Sequence, residues 1–128
     1  DQHGTAVVAL AALINAAKRN LYSQKGIDLL FYPSATIPLK KMLQDLRKRG
    51  VNSVLLEAGS ELGNAFLQEK LVDKLYLFQS PKILGDGVPA FRDLGIKKLA
   101  FASHLTDVEY TVLGDDILVS GYLNNFGL

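Results

Sequence analysis

The chain of 128 residues contains no cysteine, which removes disulfide frameworks, thiol nucleophiles and thiolate metal sites in one step. Its two histidines, His3 and His104, lie far apart with no acidic cluster beside either. A metal site needs three or four ligands, and a Ser–His–Asp arrangement needs a supporting context, so neither is expected. Long hydrophobic runs are missing as well. The longest, Ala6–Ile14, has nine residues, against the roughly twenty that cross a bilayer. Lys18 and Arg19 follow that run instead of preceding it, the wrong order for a secretory signal. An excess of one charge is also absent. Fourteen Lys and Arg against thirteen Asp and Glu leave +1, too balanced for a general binder of nucleic acid or membrane surface.

What is present is alternation. With 48% apolar and 21% charged residues, the composition is that of an ordinary globule, and the length argues for one domain over residues 1–128. Residues 5–11 read as a buried strand, with helix left open by the alanines. Residues 13–24 hold good helix formers, and Gly26 sits where a stop belongs. A strand over 28–32 is closed by Pro33. Thr36 is placed to cap the next helix, with Pro38 in its first turn. In that helix Leu39, Met42, Leu43 and Leu46 form an apolar stripe, and Gly50 ends it. Residues 51–57 form a strand expected at the centre of a sheet, with Val54, Leu55 and Leu56 buried on both faces. A helix from Gly59-Ser60 to about Lys70 buries Leu62, Ala65 and Phe66, and residues 74–79 alternate as a strand. Residues 80–94 read as a loop. Two long strands, 98–113 and 117–123, are joined by Gly114-Asp115-Asp116. The order predicts an α/β sandwich with a mixed sheet, βα units followed by an antiparallel hairpin.

The segment richest in chemistry is Leu55–Leu67. It sets Glu57 at a strand end, then a small-residue turn, then a helix start, where unpaired N–H groups and the helix dipole favour an anion. Gly59 lets a phosphate approach the backbone, Ser60 caps the helix or donates its hydroxyl, and Gly63 keeps the first turn close to a ligand. On the plainer reading Gly59 makes a turn, Ser60 caps, and Glu57 is a solvated strand-end residue. The segment is neither a Walker loop nor a full GxGxxG, so the residues alone leave both readings open. Lys82 lies near the same mouth and could screen phosphate charge. Asp73 is expected to fix the turn before the strand at 74 by bonding backbone N–H groups. The cations Lys40, Lys41, Arg47, Lys48 and Arg49 read as a solvated helix face.

The stretch LRKRGVNSVLLEAGSELGNAFLQEKLVDKLYLFQSPKILGDG, residues 46–87, resembles the C-terminal reductase domain of the bifunctional riboflavin-biosynthesis deaminase/reductase. That family has a leucine-rich helix ending in glycine, an apolar strand ending in Glu-Gly-Gly or Glu-Ala-Gly, and a helix ending in Phe-Leu. Leu-Val-Asp-Glu-Leu, another apolar strand and Pro-Lys-Leu-Leu-Gly follow. Ala58, Lys74 and Ala9-Leu10-Ala11 depart from the pattern, the last where the family offers the cofactor a hydroxyl. The resemblance implies a dihydrofolate-reductase-like, three-layer fold. It implies NADPH-dependent reduction of 5-amino-6-(5-phosphoribosylamino)uracil at the ribose C1′. Glu57 would then contact this small-molecule substrate, and Gly59, Ser60, Glu61, Leu62, Gly63, Asn64 and Ala65 would wrap the cofactor's phosphates. No catalytic residue is assigned within the chain and no metal site. The family's strand lysine and Ser-x-Asp-Gly motif do not precede Asp1, so these residues are read as the C-terminal part of a reductase domain, inactive alone. A cytoplasmic homodimer paired through the C-terminal strands is expected, without nucleic-acid or membrane partners. The alternative is a phosphate- or nucleotide-binding or assembly module of the same fold without hydride chemistry.

Overall fold

A computed structural model describes residues 5–7, 22, 24–26, 29–34 and 36–123. The chain forms two compact units, Asp1–Glu57 and Ala58–Leu128. In the first, β1 (Thr5–Val7) pairs in parallel with β2 (Ser53–Leu55), Ala6 standing opposite Val54. A parallel pair needs a crossover, and helix α1 (Leu39–Lys48) lies in it. Residues 8–11, most of the helix expected over 13–24, and His3 fall outside the described residues. Tyr22 and Gln24 are helical. Gly26 takes φ 69° just after them, as a helix stop requires.

α1 forms for the reason its pattern predicts. Leu39, Met42 and Leu46 are buried, Met42 most completely at 2% exposure. At its end Gly50 takes φ 84°, and its N–H donates to the Arg47 carbonyl while that of Val51 donates to Leu46. This paired closure satisfies carbonyls that the helix leaves open. The start differs from expectation. Pro38 occupies the N-cap instead of the first turn, no side chain caps the helix, and Thr36 gives its carbonyl to the Ser34 hydroxyl. The strand expected over 28–32 is also corrected: residues 29–32 carry no ladder. Tyr32 instead anchors this stretch, donating its hydroxyl to Asp45 Oδ2 at 3.0 Å. Burial first, and then that carboxylate, push the phenol above its usual pKa. The burial expected of β2 is corrected too. Val54 and Leu56 are half-buried and Leu55 is 44% exposed, because among the described residues β2 has a single strand neighbour.

The second unit opens with helix α2 (Ser60–Gln68). It runs into β3 (Lys74–Gln79), which joins β5 (Asp116–Leu123) and β4 (Leu105–Leu113) in an antiparallel sheet of order β3-β5-β4. α2 closes as α1 does, with Lys70 in glycine's role at φ 56° and Leu71 N–H donating to the Phe66 carbonyl. That closure, not the Asp73 side chain, makes the turn. Asp73 contributes its backbone carbonyl, which accepts from Leu123 N–H and lengthens the ladder. The hairpin turn is the two residues Gly114-Asp115, with Gly114 at φ 64° and Leu113 facing Asp116. The first long strand is shorter than expected, since residues 99–101 form a 3₁₀ turn and pairing starts at Leu105. One extra residue enters β4 between Thr106 and Glu109, with Asp107 at φ 48°, a bulge that sharpens the twist. Gly121 fits against it. A Cβ there would lie 3.0 Å from Leu105 Cβ and 3.1 Å from the Thr106 carbonyl oxygen. The protein is thus α/β, and among the described residues the parallel and antiparallel pairings form two separate sheets in place of the expected mixed sheet. No helix among the described residues is long and apolar enough to cross a membrane.

Candidate functional site

The expected site residues Gly59, Ser60, Glu61, Leu62, Gly63, Asn64 and Ala65 all fall in the N-cap and first turns of α2. Gly59 is the N-cap, extended at φ −66° and ψ 169°, a conformation open to any residue. Among the described residues, neither Gly59 nor Gly63 would bring a Cβ within 4 Å of an atom beyond its chain neighbours and the helix's own backbone. Packing therefore demands glycine at neither position. A glycine inside a helix nonetheless costs about 0.5–1 kcal/mol relative to alanine. What the two glycines leave is open space beside an uncapped turn.

Ser60 does not cap the helix. No side-chain cap bonds the first turn, because the N-cap is Gly59, which has no side chain to offer; the Ser60 hydroxyl, one position inside, accepts from Arg92 Nε at 3.1 Å. The same arginine gives its backbone N–H to Asn64 Oδ1 at 3.0 Å and sets Nη1 3.3 Å from Glu61 Oε1. Gln68 Nε2 donates to the Asp93 carbonyl at 3.4 Å, and Asp93 Oδ1 accepts from Gly95 N–H at 2.7 Å. The loop expected over 80–94 is therefore tied along one row of α2, residues 60, 64 and 68, spaced four apart on one face. This row corrects the expected stripe. Ser60, Asn64 and Phe66 are buried, whereas Leu62 and Ala65 are half-buried.

Arg92 was not legible in the sequence, since an Arg-Asp pair in a loop carries no periodicity. The polar row Ser60, Asn64, Gln68 was a usable signal, because Ser60 and Asn64 are buried and buried polar side chains need partners. Lys82 is exposed on the same loop, and the cation brought to the turn is Arg92. Glu57 is exposed and ends the first unit, while residues 59–65 belong to the second. His104 is exposed, and among the described residues no group of His, Asp and Glu could hold a metal ion.

Chemically, the turn offers backbone N–H groups at the positive end of a helix dipole, a buried hydroxyl, a buried amide and a guanidinium. Its one carboxylate, Glu61, is already paired. Such a donor set suits a phosphate.

Residues 1–119 match the family of the RibD C-terminal domain. The chain is 37% identical over 93 residues to the riboflavin biosynthesis protein RibD of Chlamydia trachomatis serovar D, an overlap covering 72% of this chain and 24% of that protein. It is 27% identical over 113 residues to the 2,5-diamino-6-ribosylamino-4(3H)-pyrimidinone 5′-phosphate reductase of Aquifex aeolicus, covering 85% of this chain and 50% of that one. Among solved structures, Acinetobacter baumannii RibD superposes with a TM-score of 0.68 at 29% identity, over 82% of this chain and 29% of its own. The chain thus spans about a quarter of the length of the RibD proteins it matches.

Proposed function

Because the chain belongs to the RibD C-terminal domain family, we propose that it serves NADPH-dependent reduction of a ribosylaminopyrimidine phosphate in riboflavin biosynthesis. On this reading the substrate is 5-amino-6-(5-phosphoribosylamino)uracil. The first turn of α2 holds the cofactor's phosphates, and Glu57 contacts the substrate. The observation that carries the proposal is the open, uncapped turn at residues 59–63, whose two glycines no contact among the described residues requires. The N–H groups of residues 60–62, ahead of the first bond from Gly63 N–H to the Gly59 carbonyl, match a phosphate in charge and donor count. When bound, NADPH supplies a hydride for the ribose C1′, and the nicotinamide carries that chemistry. The chain's own share is placement. The α2 turn orients the cofactor through its phosphates, and the Glu57 carboxyl group favours the positively charged, protonated imine of the substrate. Tyr110 and Val112, exposed by 75% and 74% on the edge strand β4, support a further part of the proposal, that two copies pair through this strand.

The test of the site is a fluorescence titration of the full chain with NADPH, run with Gly59→Val and Glu57→Gln and with thermal melts of each. The Gly59 backbone accepts valine without strain, so Gly59→Val is expected to fold. Each charge-assisted hydrogen bond lost to the bulk of valine is worth about 1.5–3 kcal/mol. One or two such losses weaken NADPH binding by about ten- to a thousand-fold. Glu57→Gln keeps both fold and NADPH affinity but lowers turnover of the pyrimidine substrate in the complete enzyme. If Gly59→Val binds NADPH as the parent does, the turn is a plain turn and the cradle assignment fails.

A further inference from the structure

We propose that Arg92 is a positioning residue for the anion-binding turn of α2, committing Ser60 and Asn64 to act as donors and cancelling the charge of Glu61. The inference rests on the reading that this turn holds the phosphates of NADPH. It is carried by the direction of the bonds Arg92 makes. A guanidinium has donors only, so the 3.1 Å contact with Ser60 runs from Nε to Oγ. The hydroxyl proton of Ser60 is left to donate to another group. At Asn64 the partner is the Arg92 backbone N–H, at 3.0 Å. It too can only donate, so the amide must present Oδ1 to it and turn its NH₂ the other way. Ser60 and Asn64 are 8% and 6% exposed, and reversing either side chain would bury a donor against a donor.

Glu61 is the one residue of the turn that works against an anion. Its carboxylate suits the positive end of the helix dipole but repels phosphate. Arg92 Nη1 lies 3.3 Å from it, in a pair whose side chains are 52% and 81% exposed. A pair this exposed adds little to folding, so its main effect is on local charge. The approach of the loop is also set without the guanidinium, by the Gln68–Asp93 and Asp93–Gly95 hydrogen bonds. Truncating Arg92 therefore leaves the loop its other ties.

The experiment titrates the full chain with NADPH and follows thermal melting in parallel, for the parent, Arg92→Ala, Arg92→Lys, Glu61→Gln and Gly59→Val. Arg92→Ala is expected to bind NADPH about tenfold or more weakly, the scale of one lost charge-assisted bond. Arg92→Lys, which keeps a charge for Glu61 but not the Nε fork, falls between it and the parent. Glu61→Gln frees Arg92 and removes a repulsion, and binds about two- to fivefold more tightly at low salt. A purely structural clamp would not tighten binding when an exposed carboxylate is removed. Should Arg92→Ala lose its melting transition, Glu61→Gln decides alone: equal or weaker binding overturns the proposal. If Arg92→Ala and Glu61→Gln bind like the parent while Gly59→Val does not, Arg92 has no positioning role and the turn still holds phosphate. If all of them, Gly59→Val included, bind like the parent, the reading of the turn falls and the inference with it.

Discussion

Lys74 stands where the resembling family usually carries glutamate, and its surroundings account for the exchange. Its ammonium lies 5.1 Å from the Tyr76 ring centroid and 5.0 Å from that of Tyr122, which faces it across the β3–β5 pair. A carboxylate would be repelled by both ring faces, whereas a cation is attracted. Hydrogen bonding with Tyr76 is the main cause that raises its pKa. Asp45 answers to a comparable set. Lys41 Nζ lies 3.2 Å from its Oδ2, Lys48 Nζ 3.9 Å from its Oδ1, and Tyr32 donates to it. The bond from Lys41, then that from Tyr32, hold the carboxyl below its unperturbed value of 3.8. A depressed carboxylate stabilises the fold above its unfolded pKa and ceases to do so as the pH falls through the folded value. Asp45→Asn should therefore lower the melting temperature at neutral pH by a constant margin that begins to shrink near pH 3.8 and vanishes at lower pH. Melts from pH 7 to pH 2 check this, and a margin that grows towards acid would refute it. The helical partners of Asp45 were legible, since Lys41 and Lys48 sit four and three residues away on one face. Tyr32 was not, because sequence separation says nothing of which loop side chain reaches a helix.

At the scale of the element, glycine placement was the more dependable guide. Gly26, Gly50 and Gly114 mark two helix ends and a hairpin at positive φ, as their positions in the sequence suggested. The end of α2, expected at about Lys70, closes without a glycine, because Lys70 does glycine's work there, at φ 56°. Apolar stretches were less telling. Residues 29–32 and 99–101 have the composition of strands, but a strand exists only with a neighbour to bond to, and periodicity carries no information about pairing. The bulge at Asp107 escaped for the same reason, while Gly121 opposite it was present in the sequence without a reason attached. Its reason is room. Gly121→Val would drive a side chain into Leu105 and the Thr106 carbonyl, and such overpacking costs typically about 1–3 kcal/mol. Urea denaturation of the variant should show a loss of this size. An unchanged midpoint would mean that the bulge gives way and Gly121 is not what shapes it.

For the whole molecule, exposed apolar area is the salient property. Phe78 and Tyr110, 65% and 75% exposed, lie on opposite faces of the antiparallel sheet, so each face presents an exposed apolar side chain of the kind that another body can cover. If two copies pair through β4, light scattering at tens of micromolar should return twice the chain mass of 14.0 kDa. Tyr110→Lys, which sets a charge on that edge, should return a single chain. A parent that is already monomeric there would contradict the pairing. The turn at the start of α2 was legible for a physical reason: its residues are contiguous, so a motif could point to them. Arg92 comes from a loop near thirty positions further on, and only folding brings it to the turn. The claim on which the functional reading depends is that α2's N-terminal N–H groups bind the phosphates of NADPH. Hydrogen–deuterium exchange of the full chain, with and without saturating NADPH, tests it most directly. The account predicts slowed exchange in peptides containing residues 60–62, together with the 91–95 loop that Arg92 anchors. NADPH binding that leaves the exchange of residues 60–62 unchanged would contradict it.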